Sequence, residues 1–307
     1  MRKAMFTAAV GAVLCFSPAA LAQTDGPTTR NFVEQVALEP LSDERPLARW
    51  EDDVCVGAVG LSPQDAQTLV DRISVRARSV GLSPGAPGCR ANVMVIYAPD
   101  ADVLTRQIVD QRRDLLGYYA DGSAVSSGRA ELDQFANTSR PVRWWYVATD
   151  GAGAIQNRPG AAFDRQSSGR EAAAAAAGDG GSSTGLTSGD IQGMDSVRSN
   201  GTRTRAVLRN ELTYALVIVD ARRVANLQPT AWMDYVAMVS LAQIDPSAST
   251  QQFDTILNLF STSESSQTAL SQWDDAYLKA LYRARRDAGG NRQFGDVARR
   301  MTENISR

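Results

Sequence analysis

The side chains of this sequence that could catalyse a reaction are carboxylates. Two adjacent pairs, Asp52-Asp53 and Asp274-Asp275, are candidates, and so is Asp234, the one charged residue in the apolar stretch AWMDYVAMVSLAQ. Glycosidases hydrolyse their substrates with two carboxyl groups and need no histidine. The linear sequence does not place two of these carboxylates across one cleft, so carboxylate hydrolysis stays an open hypothesis. Asp274 and Asp275 are also well placed to open a helix, where the helix dipole favours negative charge.

The sequence contains no histidine. Histidine is the usual proton shuttle near neutral pH and the commonest zinc ligand. Ser-His-Asp triads, Cys-His dyads and H-E-x-x-H zinc sites are therefore excluded. The GSSTG segment at residues 181–185 matches the G-x-S-x-G motif of hydrolases, but it lies in low-complexity sequence without the required strand, helix and base.

The first 22 residues predict a secretory signal sequence. Arg2 and Lys3 precede an apolar run, Pro18 interrupts it, and Ala20-Leu21-Ala22 is a small-x-small cleavage site. We therefore expect cleavage after Ala22, a periplasmic or secreted protein, and no transmembrane segment in the mature chain.

Export makes the cysteines informative. Once the signal sequence is removed, Cys55 and Cys89 remain in an oxidising compartment, which predicts a disulfide between them. The apolar runs at residues 54–61 and 92–98 predict two strands, and the helix-start signal Ser62-Pro63 predicts a helix between them. A parallel strand, helix, strand unit would bring both cysteines to the beginnings of neighbouring strands.

The chain as a whole predicts an α+β protein with a mixed sheet and packed helices. Its expected organisation, in chain order, is an extended proline-containing lead-in (residues 23–49), the N-terminal part of the core with the β-α-β unit (50–149), a disordered low-complexity insertion (150–200), and strands plus C-terminal helices that complete the same core (201–307).

Three segments of the C-terminal third form a recognisable series: the apolar helix at residues 229–243, the short segment TILNLF at 255–260 and LSQWDDAYLKALY at 270–282. This series resembles the end of matrixin-type zinc metalloproteases. In those proteases an active-site helix precedes a tight methionine turn and a last helix that opens with an acidic residue and ends in Leu-Tyr. The same tail is similar to that of uncharacterised secreted bacterial proteins. The resemblance implies a zincin-like core.

The zinc site of that family is missing from this sequence. Aligned from Asp234, the H-E-x-x-H positions fall on Asp234, Tyr235 and Met238, whereas zinc catalysis needs three protein ligands. The resemblance therefore implies a degenerate scaffold, with no metal or other cofactor, whose former cleft contains these three residues. For Asp234 three roles stay open: a cleft residue bonded to the main chain or an arginine, a side chain that reaches solvent or pairs with a neighbour, or part of a rebuilt catalytic or metal site.

Two functions are compatible with these observations. The first is an exported, non-catalytic binding or assembly module that holds a peptide or an envelope protein, and an apolar surface cluster of Trp144, Trp145 and Trp232 would favour it. The alternative is a histidine-free hydrolase that uses carboxylates on an envelope glycan or peptide. A nucleic-acid partner is not expected, because the formal net charge of −2 gives no basic surplus.

Overall fold

The computed structural model describes residues 28–38, 47–118, 128–149, 210–261, 267–286 and 290–306. Within these ranges the protein has the predicted α+β architecture, in which helices cover both faces of a mixed four-stranded sheet. The predicted signal sequence (1–22) and the predicted insertion (150–200) lie outside the described residues.

The sheet has the strand order β1-β2-β4-β3. Its strands are β1 (Val56–Val59), β2 (Val93–Ala98), β3 (Val142–Thr149) and β4 (Glu211–Asp220). β1, β2 and β4 are parallel, whereas β3 pairs antiparallel with β4. The central strands β2 and β4 are almost wholly buried, which explains why their sequences are continuous apolar runs.

Helix α2 (Pro63–Ser79) connects β1 to β2, as the sequence predicts. Ser62 is its N-cap, and the Ser62 hydroxyl accepts a hydrogen bond from the Asp65 N–H at 3.1 Å. The helix is followed by Gly81, whose φ of 90° suits glycine. The face that α2 buries against the core carries Leu69, Ile73 and Ala77.

A disulfide joins Cys55 and Cys89, with a Cα–Cα distance of 6.0 Å. Cys55 directly precedes β1 and Cys89 lies shortly before β2, so the parallel pairing of the two strands brings the cysteines together. The predicted disulfide is thus confirmed together with the predicted β-α-β unit. Gly85 packs against the bridge, where an added Cβ would lie 2.4 Å from Cys89 Sγ.

The helices form one layer on each face of the sheet. The first layer contains α2 together with α1 (Thr29–Val36), α6 (Pro229–Leu241), α7 (Gln272–Arg283) and α8 (Gly290–Ile305). The second contains α3 (Ala101–Gln111) and α4 (Arg129–Asn137), and the short α5 (Ala221–Val224) follows β4. Successive side chains of β3 point to opposite layers: Trp144 and Tyr146 face the first layer, and Trp145 and Val147 face the second.

Residues 29–36 form helix α1, whereas the sequence predicted an extended lead-in over residues 23–49. Thr28 caps this helix by accepting a hydrogen bond from the Asn31 N–H at 3.2 Å. Phe32 is fully buried, and its ring lies 5.1 to 5.7 Å from those of Phe253, Trp273 and Tyr277. An eight-residue helix is too short to be stable alone, so packing decides its formation.

Two further differences concern the second layer. The apolar residues at helical spacing between Ala101 and about Leu116 predict one helix, but α3 ends at Gln111 and a 3-10 turn follows at Arg113–Leu116. The non-helical backbone of Arg112 separates them, and the Arg112 guanidinium donates to both carboxylate oxygens of Asp114. Helix α4 was not predicted.

The C-terminal end of α6 lies inside the protein, where its last carbonyls need hydrogen-bond donors. Side chains from three parts of the chain meet this need: Trp50 Nε1 donates to Ser240 O at 2.8 Å, the Tyr282 hydroxyl donates to Leu241 O at 2.6 Å, and the Tyr146 hydroxyl lies 2.7 Å from Val239 O and 2.8 Å from Ala242 O. The helix therefore ends at Leu241, before Pro246.

We expect Tyr146→Phe to lower the free energy of unfolding by about 2 kcal/mol, because carbonyls of α6 would stay buried without this donor. The N–H of Ile244, which donates to the same hydroxyl at 3.1 Å, would also lose its acceptor. Urea unfolding measures the difference. Tyr97→Phe is the control, since that ring is only partly buried and lies against Trp232. Equal losses in the two variants would contradict the prediction.

Candidate functional site

Asp234 is the centre of a buried ion pair, and its side chain is 1% exposed. Its Oδ1 accepts a hydrogen bond from Arg72 Nε at 2.9 Å, and its Oδ2 accepts one from the Leu270 N–H at 3.1 Å. Arg76 Nη2 lies 3.7 Å from the same carboxylate. The carboxylate thus ties α6 to α2 and to the segment that precedes α7. It bonds an arginine and the main chain while it remains out of solvent.

The other two residues of the predicted cleft are also enclosed. Met238 is fully buried, and Tyr235 packs between the rings of Trp144 and Phe260, with centroids 5.9 and 4.9 Å away. Burial raises the pKa of Tyr235 well above its usual value. Both side chains belong to the core. Over the described parts of the chain, no three His, Cys, Asp or Glu side chains cluster where they could hold a metal ion.

Asp274 caps α7, as the sequence predicts. It forms a capping box with Ser271, and its carboxylate also accepts hydrogen bonds from Ile256 N at 2.8 Å and Thr255 Oγ1 at 2.5 Å. Burial raises the pKa of Asp274 to about 6, against the opposing effect of these hydrogen bonds. A substrate cannot reach this carboxyl, because the side chain is completely buried.

The remaining predicted carboxylates do not form a catalytic pair. Asp275 accepts a hydrogen bond from Arg76 Nη1 at 3.0 Å, so Arg76 links it to Asp234. Asp52 and Asp53 are exposed on the segment before β1. The structure therefore brings together Asp234 and Asp275, and it does so around arginines of α2.

The three tryptophans do not form the apolar surface cluster that would favour a binding role. Trp144, Trp145 and Trp232 are each 4 to 5% exposed. Trp144 and Trp145 face opposite sides of the sheet because neighbouring strand residues alternate, and each indole N–H is bonded: Trp144 Nε1 donates to Ile244 O and Trp145 Nε1 to Leu116 O. These rings are core residues.

An open groove of about 340 Å³ follows the outer edge of β3, and we call it the β3 groove. Its floor is β3 from Arg143 to Tyr146. One wall is formed by α4 through Glu131, Gln134, Phe135 and Thr138, and the other by Leu38 and Asp245–Ser247, with Arg140 at the entry to β3. A groove of this volume can hold a small molecule or a few residues of a peptide.

The floor of the β3 groove is an edge strand. No strand in the described ranges pairs with the outer side of β3. The N–H of Asp220 donates to Pro141 O at 2.9 Å, so residues 141 and 220 are a hydrogen-bonded pair. Hydrogen-bonded and non-hydrogen-bonded pairs alternate along an antiparallel ladder, so every second residue of β3 after Pro141 is hydrogen-bonded to β4. The main-chain groups of Arg143 and Trp145 therefore point to β4, and those of Trp144 point into the groove.

Both walls of the β3 groove are held by hydrogen bonds. The Leu38 N–H donates to Gln243 O at 3.1 Å, and the Asp245 N–H donates to Val36 O at 2.9 Å, which fixes the wall on the side of α6. On the other side, Arg143 Nη1 donates to Phe135 O at 2.8 Å near the end of α4. The groove is thus a preformed feature of the fold.

Arg143 is in turn held by Asp102 of α3, which also accepts hydrogen bonds from Arg223 and Ser139. The bonds from Arg223 and Ser139, with the positive charge of Arg143, keep the pKa of Asp102 well below its usual value, although burial opposes this effect. Asp102 therefore stays ionised and fixes the guanidinium beside the groove.

Sequence reasoning did not identify the β3 groove. The segment PVRWWYVAT at residues 141–149, rich in aromatic residues, predicts the strand at the floor. The walls, formed by α4 and the paired segments 36–38 and 243–245, were not predicted. A sequence signal existed only in Pro246, which marks the end of the α6 region.

No protein-family model matches this sequence, and no curated protein or solved structure shows significant similarity to it. Among the helices that the structure describes, none is long and apolar enough to cross a membrane.

Proposed function

We propose that the protein is an exported, non-catalytic binding module and that the β3 groove holds an extended segment of a peptide or envelope protein. The observation that carries this proposal is the edge strand at the floor of a groove with two fixed walls. An extended segment would add to β3 through main-chain hydrogen bonds with Trp144, and its alternate side chains would contact the two walls.

The chemistry of the chain supports binding over catalysis. The sequence has no histidine. Of the carboxylates singled out in it, Asp234 is buried and paired with arginine, Asp274 is a buried helix cap, and Asp275 is paired with Arg76. A groove that is preformed loses little conformational entropy when it takes up a ligand.

Export and the zincin-like scaffold are parts of the same proposal. The signal-like N-terminus and the Cys55–Cys89 disulfide support an oxidising location. A degenerate matrixin-like core is supported by the order of the elements: a β-α-β unit, further strands, the apolar helix α6, the turn Ile256–Phe260, and α7 with its acidic first turn.

Filling the groove should abolish binding. We expect Gln134→Trp, which adds a large ring to the α4 wall, to weaken peptide binding at least about tenfold, because the ring would occupy the space beside β3. Gln134 is exposed on a helix, so folding should tolerate the change. Isothermal titration of residues 23–307 with extended peptides measures the effect.

Gln67→Trp is the matched control, because Gln67 is exposed on α2 and does not line the groove. We expect it to bind peptides like the unaltered protein. Equal affinities in the two variants, or no binding by the unaltered protein, would rule out the β3 groove as the binding site.

One observation keeps hydrolysis as a second candidate function: two other carboxylates, Glu131 and Asp245, line the same groove. A pair across one cleft is what a carboxylate-based glycan or peptide hydrolase needs. This candidate requires that the purified protein degrade an envelope glycan or peptide, and that Glu131→Gln and Asp245→Asn each abolish the turnover.

A further inference from the structure

The positive charges of the β3 groove are engaged within the protein. Arg140 Nη1 donates to Pro246 O. Arg143 is 2% exposed, donates to the carbonyls of Phe135 and Ala136, and forms an ion pair with Asp102. Asp102 therefore balances the charge of Arg143, and among the groove residues the one positive charge of Arg140 stands against two carboxylates.

The β3 groove also carries two negative charges, one on each wall. Glu131 lies on the α4 wall and Asp245 on the facing wall, and neither has an ion pair with an arginine or lysine among the described residues. Asp245 Oδ1 accepts hydrogen bonds from the N–H and hydroxyl of Ser247, both at 2.7 Å, which orients the carboxylate without neutralising it. Glu131 is exposed in the first turn of α4.

We infer that the ligand of the β3 groove is a basic peptide segment, with lysine or arginine side chains placed between Glu131 and Asp245. The inference rests on the proposed function and specifies its ligand. The physical reason is charge complementarity: the carboxylates stand on opposite sides of the edge strand, so side chains that alternate along an added strand reach both walls. Such pairs are partly exposed and weaken as salt increases.

Three labelled peptides of equal length test the inference by fluorescence anisotropy. Each has about ten residues and repeats two threonines followed by two lysines, two glutamines or two glutamates, so that adjacent test side chains point to opposite walls. Partly exposed ion pairs each change affinity by about two- to fivefold, so we expect the lysine peptide to bind at least about tenfold more tightly than the glutamate peptide, with the glutamine peptide between them. The preference should shrink between about 50 and about 300 mM NaCl.

Matched variants separate a local effect from the overall charge. In Glu131→Gln combined with Asp245→Asn, the preference for lysine should fall below about threefold. Asp71→Asn on α2 removes a carboxylate outside the groove and should leave the preference unchanged.

The outcomes distinguish the two proposals. If the three peptides bind equally and Gln134→Trp weakens all of them, the basic-ligand inference fails while binding in the groove stands. If no peptide binds, or if Gln134→Trp has no effect on binding, the proposed function fails with it. A preference for lysine that survives the double carboxylate variant would also overturn the inference.

Discussion

Replacing Asp234 by alanine should lower the free energy of unfolding by about 3 kcal/mol. The side chain is 1% exposed, and its loss leaves the Leu270 N–H and the guanidinium of Arg72 without their acceptor. Removal of one partner from a buried ion pair costs about 3 to 5 kcal/mol, and the lower end applies because the arginines are partly exposed and can regain water. Urea unfolding of residues 23–307 measures the change.

The matched control is Asp275→Ala, because Asp275 also pairs with Arg76 but its side chain is 33% exposed. We expect a loss of at most about 1 kcal/mol for this variant. Two equal and small losses would mean that the buried pair contributes little net stability. A change in the slope of the urea transition would instead indicate altered compactness of one of the states.

Loss of the Cys55–Cys89 disulfide should have a similarly large effect. The cysteines are 34 residues apart in the chain, and the chain-entropy model gives about 4 kcal/mol for closing a loop of that length in the unfolded state. We therefore expect the double variant Cys55→Ala, Cys89→Ala to unfold at a clearly lower urea concentration than the oxidised protein.

A reductant provides the control for this prediction. Dithiothreitol should reduce the stability of the unaltered protein to nearly that of the double variant and leave the double variant unchanged. A difference below about 1 kcal/mol between the oxidised protein and the variant would contradict the entropic argument and indicate a structured unfolded state.

Much of the fold was predictable where the determining signals are local. The helix-start signal at Ser62, the apolar run of β2 and the helix stop at Gly81 each depend on a few neighbouring residues. The disulfide was predicted from the two cysteines that remain after the signal sequence, and the parallel β-α-β unit explains how Cys55 and Cys89 come to lie at the same end of adjacent strands.

Prediction failed where stability comes from distant contacts. Helix α1 forms because Phe32 packs against rings from residues 253, 273 and 277, and nothing in its own eight residues requires a helix. The burial of the three tryptophans could not be decided from the sequence, because composition alone does not show that both faces of the sheet are covered.

The candidate site illustrates the same limit. Asp234 is distinctive in the sequence as the single charge of an apolar helix. Its role as a hydrogen-bond acceptor depends on Arg72, which lies 162 residues away in the chain. The β3 groove combines α4, an edge strand and two paired segments near residues 37 and 244. Its carboxylates, Glu131 and Asp245, carry no sequence signal that distinguishes them from other acidic residues.

By itself the sequence determined the α+β class, the β-α-β unit, its disulfide and the exclusion of histidine chemistry, because capping, apolar runs and residue types act over short distances. Only the tertiary structure decided that Asp234 is a buried crosslink and that β3 forms the floor of a groove with a carboxylate on each wall. Ion pairing and cleft formation depend on which segments meet in space, and that follows from the packing of the whole core.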